Sequence, residues 1–229
     1  MNNKSTLLIK GERNTGSNWI RQLITTNFQN IHFLQDRGEN TNNYGSKHEC
    51  LKEENIENIN NKNIIMVVVI KDVFYWLVSM YRKTYANKFD RLIQQTNMSF
   101  SDFIRHKYSY KYYIGGIIEQ AENLIKLREK KNLNWVNANV NKKYIINYDN
   151  AKEELINIAN KENINLNDKW DDVNKYTKPK VQADNFVKKS YDEVMKNYSK
   201  DDIQFVLSNL NMEFEKSYGL NYDYVNNYL

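Results

Sequence analysis

Seven consecutive apolar residues, Ile64-Ile65-Met66-Val67-Val68-Val69-Ile70, are followed almost at once by a helical pattern beginning at Val73. An unbroken, largely β-branched run has no polar face to offer solvent, so it suits the centre of a parallel sheet covered on both sides. Parallel strands need crossovers, and the rest of the chain supplies them. Thr6–Lys10 reads as a first strand, Ser17 to about Phe28 as a helix, and Ile31–Leu34 as a short second strand. Gln35–Asn63 is polar and loop-like, with a short helix around Leu51–Ile59. A helix runs from Val73 to about Tyr85, and helical patterns recur at Ser101–Lys107 and Ile114–Lys130. Lys143–Asn147 is another strand, followed by a helix that the Asn150/Glu153 pair would open as a capping box. Ser199 and Asp202 open a C-terminal helix that ends at Gly219. Strand alternating with helix predicts a three-layer α/β/α fold, a mainly parallel central sheet and a helical C-terminal part. Ligands then belong at the carboxyl ends of the strands.

The composition narrows the chemistry. At 229 residues and 41% hydrophobic content, with one proline and seven glycines, the chain fits one domain spanning 1–229. Its single cysteine, Cys50, leaves no internal disulfide and no cysteine-based zinc site, and the three histidines lack ligand spacing. No metal is expected. The longest apolar run is too short to span a bilayer, and Met-Asn-Asn-Lys-Ser-Thr carries no signal-peptide core, so a cytoplasmic protein is expected. The net charge of +5 favours an anionic partner. No basic stripe or RNA-binding motif stands out, and nucleic acid is not expected.

The first strand runs into Gly11-Glu12-Arg13-Asn14-Thr15-Gly16-Ser17-Asn18-Trp19. A G-x-x-x-x-G loop between strand and helix is the layout of a phosphate cradle, where backbone N–H groups and a helix N-terminus face an anion. A metal-bound triphosphate would call for Lys-Ser/Thr after the second glycine. Ser17 and Asn18 stand there instead, which argues against an ATP-dependent kinase. The central strand ends at Lys71, and Ser79 follows eight residues later on the next helix. Alone, that cation and hydroxyl are as readily a solvated lysine and a serine bonded to its own helix.

Together the two segments resemble the sulfotransferases that use 3′-phosphoadenosine-5′-phosphosulfate (PAPS). Arg13-Asn14-Thr15-Gly16-Ser17-Asn18-Trp19 is similar to the family's P-K/R-S-G-T-T-W loop for the 5′-phosphosulfate. Lys71-Asp72-Val73-Phe74-Tyr75-Trp76-Leu77-Val78-Ser79 is similar to its R-D-P-x-x-W-x-x-S segment for the 3′-phosphate. Lys47-His48-Glu49, Tyr144–Asp149 and Phe214–Leu220 match more loosely the family's base-bearing element, its strand before Y-E-D-L and its closing helix. Asn14 stands where the family has a lysine or arginine, and Lys71 where it has arginine; Arg13 or Lys47 could supply the missing charge.

The resemblance implies a P-loop-like core and metal-independent transfer of a sulfuryl group from PAPS to a hydroxyl of a small molecule or glycan, leaving adenosine 3′,5′-bisphosphate (PAP). It implies that Arg13, Asn14, Thr15, Gly16, Ser17 and Asn18 cradle the 5′-phosphate and that Trp19 stacks on adenine, though a tryptophan there also reads as core. Lys71 and Ser79 would hold the 3′-phosphate, and Tyr148 would line the nucleotide pocket or simply pack. His48 is the candidate base, since an ordinary imidazole pKa of about 6.5 leaves it able to accept a proton. Glu49 is its rival, and Arg13 and Lys47 are candidates for charge stabilisation. Residues 82–140 match nothing in the family and read as a helical insertion on the acceptor side, where bases and tyrosines between 82 and 113 could form a lid or a packing layer. Lys178, Lys180, Lys188 and Lys189 could add a late phosphate contact. A non-catalytic adenine-nucleotide-binding module that kept the fold is the alternative outside enzymology.

Overall fold

The computed structural model describes residues 4–34, 43–82, 97–111, 118–173, 175–176, 184–185 and 189–229. They fall into two compact units. The first comprises Met1–Gly11, Thr15–Ile70 and Trp135–Lys188; the second comprises Glu12–Asn14, Lys71–Asn134 and Lys189–Leu229.

The first unit is built on a four-stranded sheet. Strands β1 (Ser5–Lys10), β2 (Ile31–Phe33), β3 (Ile65–Ile70) and β6 (Lys143–Asn147) lie in the order β2-β1-β3-β6, every pair parallel. Leu7 stands opposite Ile65, and Val68 opposite Ile145, so the three longer strands share one register. All six residues of β3 are buried, which makes this strand the middle of a three-layer α/β fold. On one face Leu7, Ile9, Val67, Val69 and Ile146 form a core with Ile20, Leu23 and Ile24 of helix α1 (Ser17–Asn27). Leu155 and Ile158 of helix α6 (Ala151–Lys161) complete it. Burying each such side chain is worth about 1.5–3 kcal/mol, so this face contributes heavily to the stability of the unit. Helix α2 (Glu53–Asn61) contributes the fully buried Ile59.

The second unit is mainly helical. It holds α3 (Val73–Arg82), α4 (Phe100–Arg105) and most of α5 (Leu124–Asn137), then α7 (Tyr191–Met195), α8 (Lys200–Asn209) and α9 (Met212–Ser217). A short hairpin, β4 (Tyr108–Lys111) with β5 (Ile118–Ala121), also belongs to it. Two-residue strands β7 (Lys175–Tyr176) and β8 (Asp184–Asn185) pair in the first unit.

Three local expectations are corrected. The helix expected over Ile114–Lys130 is a strand at 118–121, and helix begins only at Leu124, where the Asn123 side chain accepts the Lys126 N–H at 3.0 Å. Asn150 makes no capping bond; Tyr148–Asn150 is a 3-10 turn, opened by Asn147, whose side chain accepts the Asp149 N–H. The single C-terminal helix is two, because Leu210 turns extended and Asn211 caps α9 by accepting from Phe214 N–H. Ser199 does cap α8 in a reciprocal box with Asp202, and Gly219, at φ +71°, follows the end of α9. Residues 83–96 and 112–117, which include Lys83, Arg91, Tyr112 and Tyr113, lie outside the described residues, as do Lys178, Lys180 and Lys188.

Candidate functional site

The loop leaves β1 at Gly11 and enters α1 at Ser17. Gly11 is required by close approach: a Cβ there would lie 2.8 Å from Thr15 Oγ1 and 3.1 Å from the Val69 carbonyl oxygen. Asn14 and Gly16 adopt left-handed backbone, with φ +63° and +87°. At Gly16 a Cβ would also fall 2.2 Å from Tyr148 Cε2, so the tyrosine ring lies directly against the loop backbone. Thr15 and Ser17 are buried, and no acidic residue occupies the first turn of α1, leaving its dipole suited to an anion.

One backbone donor of the loop has another use. The Arg13 N–H donates to Glu12 Oε1 at 2.7 Å, and the buried Glu12 pairs through Oε2 with Lys131 Nζ at 2.5 Å. The Arg13 carbonyl accepts from Trp76 Nε1 at 2.6 Å, and Asn14 Nδ2 donates to Met80 Sδ at 3.1 Å. The Asn14 amide is therefore directed at a sulfur of α3.

Lys47 and His48 are fastened to the end of β1. Lys10, wholly buried, donates from Nζ to the carbonyls of Tyr44, Gly45 and Ser46 at 3.0, 3.1 and 2.8 Å. The Gly11 N–H donates to the Lys47 carbonyl, and His48 Nδ1 lies 2.6 Å from the Gly11 carbonyl oxygen. That oxygen can only accept, so Nδ1 carries the proton, and in the neutral ring Nε2 then bears the lone pair. The arrangement selects the tautomer a general base needs. Lys47 reaches the first turn of α1, its Nζ 2.6 Å from Asn18 Oδ1. The Glu49 carboxylate accepts the Ser46 N–H at 3.0 Å, closing a local turn.

Trp19 and Tyr148 pack together, ring centroids 4.8 Å apart, and the indole N–H donates to the Val173 carbonyl. Trp19 also packs against the apolar core, as the packing reading of this residue expects. Burial, with Asp149 adding to it, pushes the Tyr148 hydroxyl up to about 12, so it stays protonated. Beside it, Glu154 accepts the Asn147 N–H at 2.8 Å. Burial raises that carboxyl to about 7, with the backbone bond opposing and Glu153 assisting.

In the second unit, the other sequence-predicted pair comes together: Lys71 Nζ lies 3.3 Å from Ser79 Oγ, which donates to the Tyr75 carbonyl. Between them in sequence, Asp72 caps α3, Oδ1 accepting from Phe74 and Tyr75 N–H, while Oδ2 accepts from the Tyr224 hydroxyl. Behind Lys71 stands a buried ion pair. Arg128 Nη1 and Nη2 lie 2.5 and 3.1 Å from the two Glu215 oxygens, and Nη2 also donates to the Lys71 carbonyl at 2.7 Å. Tyr222 donates to Glu215 Oε2 at 2.8 Å. Burial works to lower the Arg128 pKa, but the charge and hydrogen bond of Glu215, with Tyr222 and Asp72 adding to them, hold the guanidinium above its ordinary value.

The supporting residues Lys10, Glu12, Lys131, Arg128 and Glu215 are not evident from motif reading. Asp72 had a readable signal, an N-cap residue directly before an apolar helical run. Among the described residues, no group of His, Cys, Asp and Glu is placed to hold a metal ion, and no helix is long and apolar enough to cross a membrane. Comparison with known proteins finds no matching family model, curated protein or solved structure.

Proposed function

We propose that this chain transfers the sulfuryl group of PAPS to an acceptor hydroxyl, a carbohydrate hydroxyl being the favoured class. The observation that carries the reading is His48, held Nδ1-inward on the carbonyl of Gly11 at the start of the phosphate-type loop. The residues present suit the nucleotide. In the first unit Gly11 and Gly16 keep side chains out of the loop and the α1 N-terminus favours an anion; the second unit, by itself, offers a cation and a hydroxyl suited to a phosphate in Lys71 and Ser79.

Bound PAPS supplies an activated sulfur–oxygen bond. His48 Nε2 takes the acceptor hydroxyl proton as the acceptor oxygen bonds to sulfur. The sulfur–oxygen bond to the 5′-phosphate breaks, and its electron pair stays on that phosphate, leaving PAP. Lys47, beside the first turn of α1, offsets the charge gathering on the leaving oxygen. The loop's lack of a lysine–hydroxyl pair after Gly16 fits a leaving group that needs no divalent cation.

The test combines binding and turnover. PAP should raise the melting temperature more than AMP does, and without magnesium. His48→Ala should keep that shift but lower transfer from labelled PAPS by about 10²–10⁴-fold. A chain that PAP fails to stabilise is not this enzyme. A second reading, a non-catalytic adenine-nucleotide module, is favoured by Asn14, whose amide meets Met80 where the family carries a base. PAP binding with no transfer to a broad acceptor library would select it.

A further inference from the structure

The general-base reading of His48 leaves open what keeps its ring at the loop. We infer that Lys10 is the positioning residue for His48: a buried ammonium at the end of β1 that fixes the Tyr44–Ser46 main chain and thereby sets the histidine's tautomer.

An ammonium has three N–H donors, and three consecutive carbonyls receive them. Successive carbonyls of an extended segment point alternately to opposite sides, so three aimed at one nitrogen require a tight, curled backbone. Gly45 supplies it, at φ +67°, and a Cβ there would approach Lys10 Nζ to 3.1 Å and Asn55 Oδ1 to 3.3 Å. Downstream, the Glu49 N–H donates to the Ser46 carbonyl while the Ser46 N–H donates to Glu49 Oε2. The turn that carries Lys47 and His48 is therefore anchored at its first residue by Lys10. From there the chain reaches Gly11, whose N–H takes the Lys47 carbonyl and whose carbonyl takes His48 Nδ1. Lys10 and Gly11 are neighbours in sequence, so the anchor and the tautomer-setting carbonyl come from adjacent residues of one buried strand end.

A lysine at this position could have been a stabilising group and nothing more. The difference lies in the imidazole. If Lys10 holds the turn, removing it lets His48 leave the Gly11 carbonyl, and the ring reverts to the mixture of tautomers in which Nε2–H prevails in water.

The experiment uses the full chain labelled with ¹⁵N at histidine. The chain has only three histidines, His32, His48 and His106, so a His48→Gln spectrum assigns the ring. The wild type should give the long-range ¹H–¹⁵N pattern of the Nδ1–H tautomer at His48. Lys10→Met should lose that pattern while His32 and His106 keep theirs, and turnover with PAPS should fall by about 10²-fold, the usual cost of a small misplacement. Should Lys10→Met not fold, Gly45→Ala, which crowds the same ammonium, decides with the same spectrum. Retention of the Nδ1–H pattern in the folded variant overturns the inference. Since the inference rests on His48 as base, the two can fail separately: a tautomer that responds to Lys10 while His48→Ala keeps full turnover upholds the positioning and removes the base. A wild-type His48 in the Nε2–H form overturns the positioning outright.

Discussion

The two candidate phosphate anchors are built on opposite principles. In the first unit the two ends of the loop, Gly11 and Gly16, and the Lys47–His48 turn are shaped by main chain: glycines that admit close approach, and carbonyls gathered by Lys10. In the second unit Lys71 and Ser79 are shaped by side chains, through the Asp72 cap and the Arg128–Glu215 pair. Backbone geometry tolerates no added atom, whereas a buried ion pair tolerates no lost partner. The task proposed for both, presenting donors to an anion, would therefore fail in different ways.

The largest effect should come from the second anchor. Arg128→Ala strands Glu215, 2% exposed, without its cation, and losing one partner of a buried pair costs about 3–5 kcal/mol. Urea denaturation measures this directly; a loss below 1 kcal/mol would mean that the pair does not support Lys71, and the contrast would dissolve. At the first anchor, Gly16→Ala places a methyl against Tyr148 and forces alanine into left-handed backbone, for about 1–3 kcal/mol. Adding Tyr148→Ala should return part of that loss, the part due to crowding, and leave the backbone part. A double variant no better than Gly16→Ala would assign everything to φ.

The smallest effect concerns pH. The Glu154 carboxyl is raised to about 7 in the folded chain from 4.5, so the folded state holds its proton more tightly than the unfolded state. Its contribution is complete below the unfolded value and is lost as pH rises through about 7. Glu154→Gln should flatten the fall in denaturation midpoint between about pH 5 and about pH 8, by a small amount because the group is half exposed. An unchanged slope would move the pH dependence to another group.

How much of this was legible beforehand follows from the range of the interactions. β3 was readable because seven apolar residues in a row admit few structures, and Lys143–Asn147 forms its strand with the expected bounds. Lys71 and Ser79 were readable because a fixed interval from the strand end to the first turns of the next helix brings them together. The Arg128–Glu215 pair joins residues 87 apart, and no local pattern announces such a partnership. Asn123 and Asn211 mark helix starts that hydrophobic periodicity alone ran through, since the apolar spacing continues across both caps. Glu12 carries no local signal of its pairing, because an acid in a phosphate-type loop reads as solvated until the buried Lys131 stands beside it.

Lys10 has one more consequence, for reagents. An amine sealed under the main chain should stay unmodified while the surface lysines are acylated, and should become reactive only when the turn above it lifts. Its labelling rate is thus a clock for the opening of the histidine's mooring, readable by mass spectrometry without any substrate in hand.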